Sequence, residues 1–388
     1  DLHSFPTRRS SDLEPGAMFT AGVLWAGGFF LSALGVYYHT LWMLYFGYGV
    51  LGGCALGIGY ISPVSTLIKW FPDRPGMATG MAIMGFGGGA MIASPLSVWL
   101  MSLFTTPTHV GVMETFAVMG AIYFFFMMVG ATIVRVPAPD WKPDGYVAPV
   151  EAQKLITRND VYVYDSLKTP QFWLIWWVLC LNVTAGIGVL GQASAMSQEM
   201  FPGVITPIAA AGLVGLMSLF NMGGRFGWAS LSDLIGRRNT YFCFFIIGFA
   251  LYLTVPYAGM TGNVALFVFC FLIIISMYGG GFSTVPAYLK DMFGTRYVGA
   301  IHGMLLTAWS AAGIFGPVLV NYIREYNITH GVPKAEAYNT TMYIMASLLV
   351  IGFICNAFVR AVDSRFHMRT DEAVPAGAMA GGHQPASA

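Results

Sequence analysis

Arg225 is the one basic residue of the 19 lysines and arginines that falls inside an apolar run of the sequence. A charged side chain at membrane depth costs roughly 2.5–3.5 kcal/mol, so it must face a cavity or a partner. The apolar runs contain no central Asp or Glu that would neutralise it. Since a planar guanidinium matches a carboxylate bidentately, Arg225 is predicted to bind an anionic solute. The alternative is that Arg225, eight residues before Asp233 and therefore about 12 Å from it along a helix, snorkels to the nearby membrane surface.

His302 is the histidine that falls mid-way along one of the apolar runs. It could bind substrate or a proton near neutral pH, or it could be a packing residue that is hydrogen-bonded to a neighbour. Asn182, Gln192 and Asn221 fit a polar cavity or hydrogen bonds between helices equally well. The apolar runs hold no set of nucleophile, metal ligands or paired carboxylates, so we expect no catalytic residues, no metal and no cofactor.

The composition places these residues in a membrane. The chain has 388 residues, of which 56% are hydrophobic and 10% charged, whereas soluble domains have about 25% charged residues. A net charge of +1 gives no reason to expect nucleic-acid binding. The sequence predicts an all-α membrane protein in a lipid bilayer, with ten spanning helices at 18–36, 42–68, 77–104, 112–134, 171–197, 206–230, 239–259, 263–288, 298–323 and 339–362.

The distribution of basic residues predicts the orientation. Successive connections between the spans lie on alternate sides of the membrane. Fourteen of the 19 lysines and arginines lie in segments on one side, whereas the loops on the opposite side hold Arg324 and Lys334. Because positive loops stay in the cytoplasm, we expect a multi-pass protein of the plasma (inner) membrane with its linker, 136–170, and its C-terminus cytoplasmic. The tail at 366–388 is predicted to be disordered.

Two stretches of the chain repeat one pattern. Residues 69–95 and 290–317 each begin with Lys and then carry a Phe, an Arg three residues later, a Gly–x3–Gly pair and a closing proline. Such duplication is common in transporters. The repeat pairs the first four spans with the last four and leaves the fifth and sixth without partners. We therefore expect ten helices of a 6+6 arrangement, with a non-native polar header at 1–16; a native ten-helix protein is the alternative.

The loop motif of the second half strengthens this interpretation. Gly224-Arg225 followed by Ser232-Asp233-Leu234-Ile235-Gly236-Arg237-Arg238 resembles the loop motif of the major facilitator superfamily. Asp233 is expected to pair with Arg237 or Arg238 and with a neighbouring helix end, as a gate, and Asp73 and Arg74 of the first repeat are predicted to gate as well. The alternative is a basic loop that only sets topology.

Several blocks extend the resemblance to one branch of that superfamily. KWFPDRPGMATG, GFGGGA, SLKTPQFWLIW, LNVTAGIGVLGQAS and SDLIGRR are similar to the oxalate/formate antiporter family, over residues 17 to about 365. The resemblance implies the major facilitator fold, with 17–135 as helices three to six and 171–365 as a six-helix bundle. It also implies exchange or co-transport of small carboxylates.

The same resemblance implies a substrate site. It places the family's substrate-binding arginine on Arg225 and the cavity aromatics on Tyr60, Phe86, Tyr278 and Phe282. Trp309 stands where the oxalate exchanger has a second cation, a lysine.

One cation with a tryptophan favours a monocarboxylate such as formate, pyruvate or lactate over oxalate. We therefore expect a monomeric secondary active transporter of a small organic anion, working by alternating access as an antiporter or proton-linked carrier. A transporter-like membrane sensor of a small organic acid is the alternative.

Overall fold

The computed structural model describes residues 10–138, 141–143, 156–157 and 159–368, and these ranges contain ten helices of membrane-spanning length and composition. The helices are α1 (Ser10–Tyr37), α2 (Leu41–Trp70), α3 (Pro75–Phe104), α4 (Val112–Ile133), α5 (Pro170–Met200), α6 (Pro207–Ile235), α7 (Arg237–Met260), α8 (Val264–Phe293), α9 (Val298–Thr329) and α10 (Asn339–Phe358). The all-α membrane prediction is confirmed.

Local sequence signals explain where several helices begin and end. Pro75, Pro170 and Pro207 occupy the first position of their helices, where a missing N–H costs nothing and the fixed φ suits the helix. The Thr169 and Thr206 hydroxyls accept hydrogen bonds from backbone amides of the first turns of α5 and α6. These residues define where the helices that carry Asn182, Asn221 and Arg225 begin.

Two spanning helices depart from regular α-geometry. In α2, residues Tyr45–Leu51 form a π-helical stretch, and Gly47 there lies so close to Gly28 of α1 that an added Cβ would be 2.7 Å from the Gly28 carbonyl oxygen. In α9, the helix is interrupted at Leu306, between Val298–Leu305 and Thr307–Thr329. Such local breaks often lie beside functional sites.

The helices form two bundles. The N-terminal bundle, α1–α4, has small apolar clusters such as the one that joins Phe29, Leu100 and Met119. The C-terminal bundle, α5–α10, has one extensive buried core that runs through all six helices. The bundles meet where α3 packs against α6 and α8, and where α2 meets α8 and α9.

The basic turns at the start of the two repeated stretches, 69–95 and 290–317, lie at the same end of this interface. The turn before α3, the end of α6 and the turn between α8 and α9 contact one another and the described part of the linker. We call this end of the molecule the linker face.

Three segments show details that the sequence did not predict. Helix α1 (Ser10–Tyr37) includes part of the predicted polar header 1–16. The linker contains the short helix Val163–Ser166. Residues 366–368 of the predicted tail are ordered against the linker, since His367 forms an antiparallel bridge with Val161. Residues 1–9 and 369–388 lie outside the described part of the chain.

Candidate functional site

Arg225 lies on α6 at the interface of the two bundles, and only 1% of its surface is exposed. Its Nε donates to the Asn221 side-chain oxygen, one helical turn earlier, at 3.1 Å. Its Nη1 lies 3.4 Å from the Ile83 carbonyl oxygen of α3, in the opposite bundle. The side chain therefore points across the interface and does not snorkel to the membrane surface.

Glycines on two neighbouring helices make room for this arginine. A Cβ at Gly87 of α3 would lie 2.9 Å from Arg225 Nε, and a Cβ at Gly279 of α8 would lie 3.0 Å from Arg225 Cγ. Both distances are shorter than ordinary van der Waals contact, so a side chain at either position would displace the arginine. One glycine from each of the runs GFGGGA and YGGGF, Gly87 and Gly279, thus provides space for Arg225.

Aromatic rings surround the guanidinium. Arg225 Cζ lies 5.0 Å from the ring centre of Phe86 and 5.3 Å from that of Phe282, within cation–π range. The Trp309 ring centre is 5.7 Å from Phe86 and 5.0 Å from Phe282. Tyr60 lies 6.2 Å from Trp309, and Tyr278 lies 5.2 Å from Phe282. We call Tyr60, Phe86, Tyr278, Phe282 and Trp309 the aromatic box.

The site draws on both bundles. Tyr60 and Phe86 come from α2 and α3, whereas Arg225 and the remaining aromatic residues come from α6, α8 and α9. Most of the box is buried, but 43% of Phe86 is exposed. Any rocking of one bundle against the other would change the distances between the walls of the box and the guanidinium.

Among the described residues, no carboxylate pairs with the Arg225 guanidinium. Within the described ranges, the ion pairs lie at helix ends and in loops, and none of them includes Arg225. A buried, uncompensated cation with aromatic walls is suited to binding an anion whose carboxylate it can pair with.

His302 adds a second polar group beside the box. The residue is 1% exposed, and its ring centre lies 5.8 Å from that of Tyr60. His302 Nε2 and the Tyr60 hydroxyl are both buried and have no hydrogen-bond partner among the described residues. This Nε2 is not satisfied by a neighbour, as a purely packing histidine would be.

The linker face is closed by a polar network centred on Asp233. The Asp233 carboxylate accepts the backbone N–H of Gly76 at 2.9 Å and that of Met77 at 2.8 Å. These amides are unpaired at the start of α3, where the helix dipole also favours a negative charge. Arg237 donates to the same carboxylate at 2.5 Å. The C-terminal bundle thus caps a helix of the N-terminal bundle.

Further polar contacts reinforce this closure. Arg237 is itself held within the C-terminal bundle, where its Nε pairs with Asp291 of α8 at 3.2 Å, and two other contacts cross the interface. Lys290 Nζ donates to the Pro72 carbonyl oxygen at 2.9 Å, and the Thr79 hydroxyl donates to the Ser283 carbonyl oxygen at 2.6 Å. Lys290 and Asp291 were not predicted as gate residues, although both lie in the repeated basic turn, which was the signal that could have identified them.

Three predicted gate residues lie outside this network. Arg238 donates to the Asn356 and Ala357 carbonyl oxygens at the end of α10, within its own bundle. Asp73 and Arg74 pair with each other at 3.6 Å in an exposed turn. These hydrogen bonds and this ion pair do not join the two bundles, although Asp73 lies close enough to Lys290 of α8 to interact with its charge.

The three polar residues for which the sequence left two roles open, a cavity or a hydrogen bond between helices, differ in their contacts. Asn221 is the partner of Arg225. Gln192 donates to Asn321 at 2.8 Å, which is a hydrogen bond between α5 and α9. The Asn182 side-chain oxygen is buried and has no partner among the described residues.

Comparison with known proteins identifies related chains and folds. Residues 12–317 match the family model of the Major Facilitator Superfamily. The chain is 28% identical over 342 residues to the oxalate:formate antiporter of Oxalobacter formigenes, covering 88% of this chain and 74% of that protein. It is 23% identical over 360 residues to apicoplast pyruvate carrier 1 of Toxoplasma gondii, covering 79% of this chain and 63% of that one.

A solved structure has the same fold. A crystal structure of the E. coli fucose:proton symporter, FucP, superimposes with a TM-score of 0.64 at 13% identity, covering 90% of this chain and 84% of that one.

Proposed function

Because the chain belongs to the Major Facilitator Superfamily, we propose that it is a secondary active transporter that moves a small carboxylate across the plasma membrane by alternating access. The substrate binds between the two bundles, which rock about it so that the site opens to one side at a time. The protein works as an antiporter or as a proton-linked carrier.

One observation carries this proposal: Arg225 is buried at the bundle interface and pairs with no carboxylate of the described residues. Asn221 accepts from its Nε and the Ile83 carbonyl oxygen accepts from Nη1, so Nη2 and the second N–H of Nη1 remain for the substrate. A carboxylate there would form a charge-assisted pair in a dry site, where such a pair is strong. The names of two relatives, an oxalate:formate antiporter and a pyruvate carrier, agree with this chemistry.

The shape of the box favours a monocarboxylate such as formate, pyruvate or lactate over oxalate. Oxalate would bring a second negative charge against Trp309, whose ring lies 5.0 Å from Phe282. Among the described residues that surround the guanidinium there is no second cation. An apolar or small substituent fits aromatic walls better than a second carboxylate, because a charge placed there would lose its hydration without compensation.

The linker face is the cytoplasmic face in this proposal, because it carries the excess of lysine and arginine. The Asp233 network then closes the cytoplasmic side of the site. Asp233 and Lys290 act as the gate, Arg237 holds the Asp233 carboxylate in place, and separating Asp233 from Gly76 opens the gate.

Counterflow in liposomes tests the proposal. Full-length protein is reconstituted with unlabelled pyruvate inside, and uptake of labelled pyruvate, lactate, formate and oxalate is measured. We expect exchange of at least one monocarboxylate and its loss in Arg225→Gln. Arg365→Gln is the matched control, since Arg365 is 73% exposed and far along the chain from the box.

Two results would overturn the proposal in different ways. Exchange that is unchanged in Arg225→Gln would remove Arg225 from the substrate site. Intact protein that binds a small acid but exchanges none would favour a transporter-like sensor.

A further inference from the structure

The linker is attached to the gate-bearing end of α8. The N–H of Thr157 donates to the Asp291 carbonyl oxygen at 2.8 Å, and the N–H of Val161 donates to the Phe293 carbonyl oxygen at 2.9 Å. The last carbonyls of a helix have no partner within it, so the linker backbone supplies what α8 lacks. Val161 is fully buried in this contact.

Asp160 joins three segments at this point. Its carboxylate accepts the backbone N–H of Arg296, in the turn that leads into α9, at 3.0 Å. Its own carbonyl oxygen accepts the N–H of Met368 at 2.9 Å, next to the bridge between Val161 and His367. One residue of the linker therefore connects the α8–α9 turn with the segment after α10.

Asp160 lies so close to the end of α8 that residue 294 must be a glycine. Gly294 ends α8 with φ +85°, and a Cβ there would lie 2.3 Å from Asp160 Oδ1. An L-residue at this position would be strained and would also collide with the carboxylate. The turn thus has a glycine where the linker carboxylate reaches the backbone.

Asp160 binds a backbone amide at the second repeated turn, as Asp233 does at the first. Asp233 binds the backbone amides of Gly76 and Met77, where α3 begins. Asp160 binds the amide of Arg296, two residues before α9 begins at Val298. Asp233 thus binds unpaired N–H groups of the first turn of α3, whereas Asp160 holds the turn just before the N-cap of α9, Tyr297.

We propose that Asp160 is a positioning residue for the substrate site: by holding Arg296 it sets the start of α9, and with it His302 and Trp309. The segment Val298–Leu305 is a continuous helix, so a shift of its first turn is carried to His302. Trp309 follows just past the break at Leu306 and forms a wall of the box. This proposal rests on the transport function proposed above.

The test compares Asp160→Ala with Asp165→Ala in full-length protein. Asp165 is the matched control, since its carboxylate also lies in the linker but pairs with the exposed Lys168 at 2.8 Å. Hydrogen–deuterium exchange is measured on peptides that cover 294–305, with 74–80 as an internal reference. The KM and kcat of monocarboxylate exchange are measured on the same variants.

We expect Asp160→Ala to speed hydrogen–deuterium exchange of the amides at 294–305 about tenfold, while the amide exchange at 74–80 is unchanged. For monocarboxylate exchange, KM should rise at least threefold and kcat should fall by a smaller factor. Asp160→Asn retains an acceptor oxygen and should restore most of both values. Asp165→Ala should resemble the wild type.

Unchanged amide exchange in Asp160→Ala would overturn the proposal, and so would faster amide exchange with an unchanged KM.

If Asp160→Ala does not fold, Met368→Pro is used instead, because it removes the other hydrogen bond to Asp160. It should give smaller changes in amide exchange and KM in the same direction, and no change in either would contradict the proposal. Failure of the wild type to exchange any acid would instead refute the transport function, and the amide-exchange arm would still show whether Asp160 holds the turn.

Discussion

The carboxylate of Asp233, from one bundle, accepts the backbone N–H of Gly76, from the other, at 2.9 Å. The contact is possible because Gly76 has no side chain: a Cβ there would lie 2.8 Å from Asp233 Oδ1 and 2.3 Å from the Ala229 carbonyl oxygen. A helix start and a carboxylate thus meet across the plane along which the bundles must separate. This contact stabilises the state in which the linker face is closed.

Asp233→Asn should weaken that closed state. The substitution removes the charge that interacts with the start of α3 and with Arg237, which we expect to cost about 1–2 kcal/mol, or a 5- to 30-fold shift in population. Spin labels at Ile133 and Leu234, which are 71% and 81% exposed on opposite bundles, would report the change as a longer distance. The five native cysteines must first be replaced.

Asp165→Asn is the control for this experiment, because the Asp165 carboxylate lies in the linker and pairs with the exposed Lys168 at 2.8 Å. It should leave the distance distribution as in the wild type. An unchanged distribution in Asp233→Asn as well would show that the Asp233 contact does not hold the linker face closed.

Gly87→Ala should damage the site without changing its chemistry. The new methyl group would lie 2.9 Å from Arg225 Nε and 3.0 Å from its Cδ, so the guanidinium must move. Overpacking of this kind typically costs about 1–3 kcal/mol, and we expect KM to rise about 10-fold or more.

Gly85→Ala on the same helix is the matched control, since a Cβ at Gly85 meets no atom within 4 Å. Its KM should stay within twofold of the wild type. Equal effects of the two alanines on exchange kinetics would show that the space at Gly87 is not what matters.

Much of the fold follows from the sequence, because each spanning helix has a long apolar run with a proline, glycine or capping residue near its ends. The resemblance to the oxalate/formate antiporter family implied four of the aromatic residues and singled out Trp309 as a departure. In the structure Phe86 and Phe282 lie against the Arg225 guanidinium, and the other three rings pack against these two or each other. The apolar run around Arg225 indicated a buried charge directly.

The gate and the linker were harder to predict because they depend on which loop ends meet in space. Arg237 and Arg238 are adjacent, yet the first pairs with Asp233 and the second caps α10. Asp160 lies in a polar linker, and its contact with Arg296 spans 136 positions of sequence. Charge patterns along the chain do not encode such distances.

Trp309→Lys should change which acids are carried. The resemblance implies a lysine at this position in the oxalate exchanger, and a second cation would compensate the second charge of oxalate. We expect oxalate exchange to rise relative to pyruvate by about 10-fold, equivalent to 1.4 kcal/mol, in competition assays with both labelled acids.

Trp309→Phe keeps an aromatic wall against Phe86 and Phe282 and should preserve the preference for pyruvate. If the lysine variant is active and its oxalate-to-pyruvate ratio matches the phenylalanine variant, residue 309 does not determine charge selectivity.

Equilibrium binding to Arg225 tests the central claim most directly. Labelled pyruvate, lactate and formate are titrated against detergent-solubilised full-length wild type, Arg225→Gln and Arg365→Gln, with folding checked by thermal unfolding. Losing the charge-assisted pair should cost about 3 kcal/mol, so at least one acid should bind saturably to the wild type and to Arg365→Gln but about 100-fold more weakly to Arg225→Gln. Equal affinity of a folded Arg225→Gln protein for the bound acid would contradict the account.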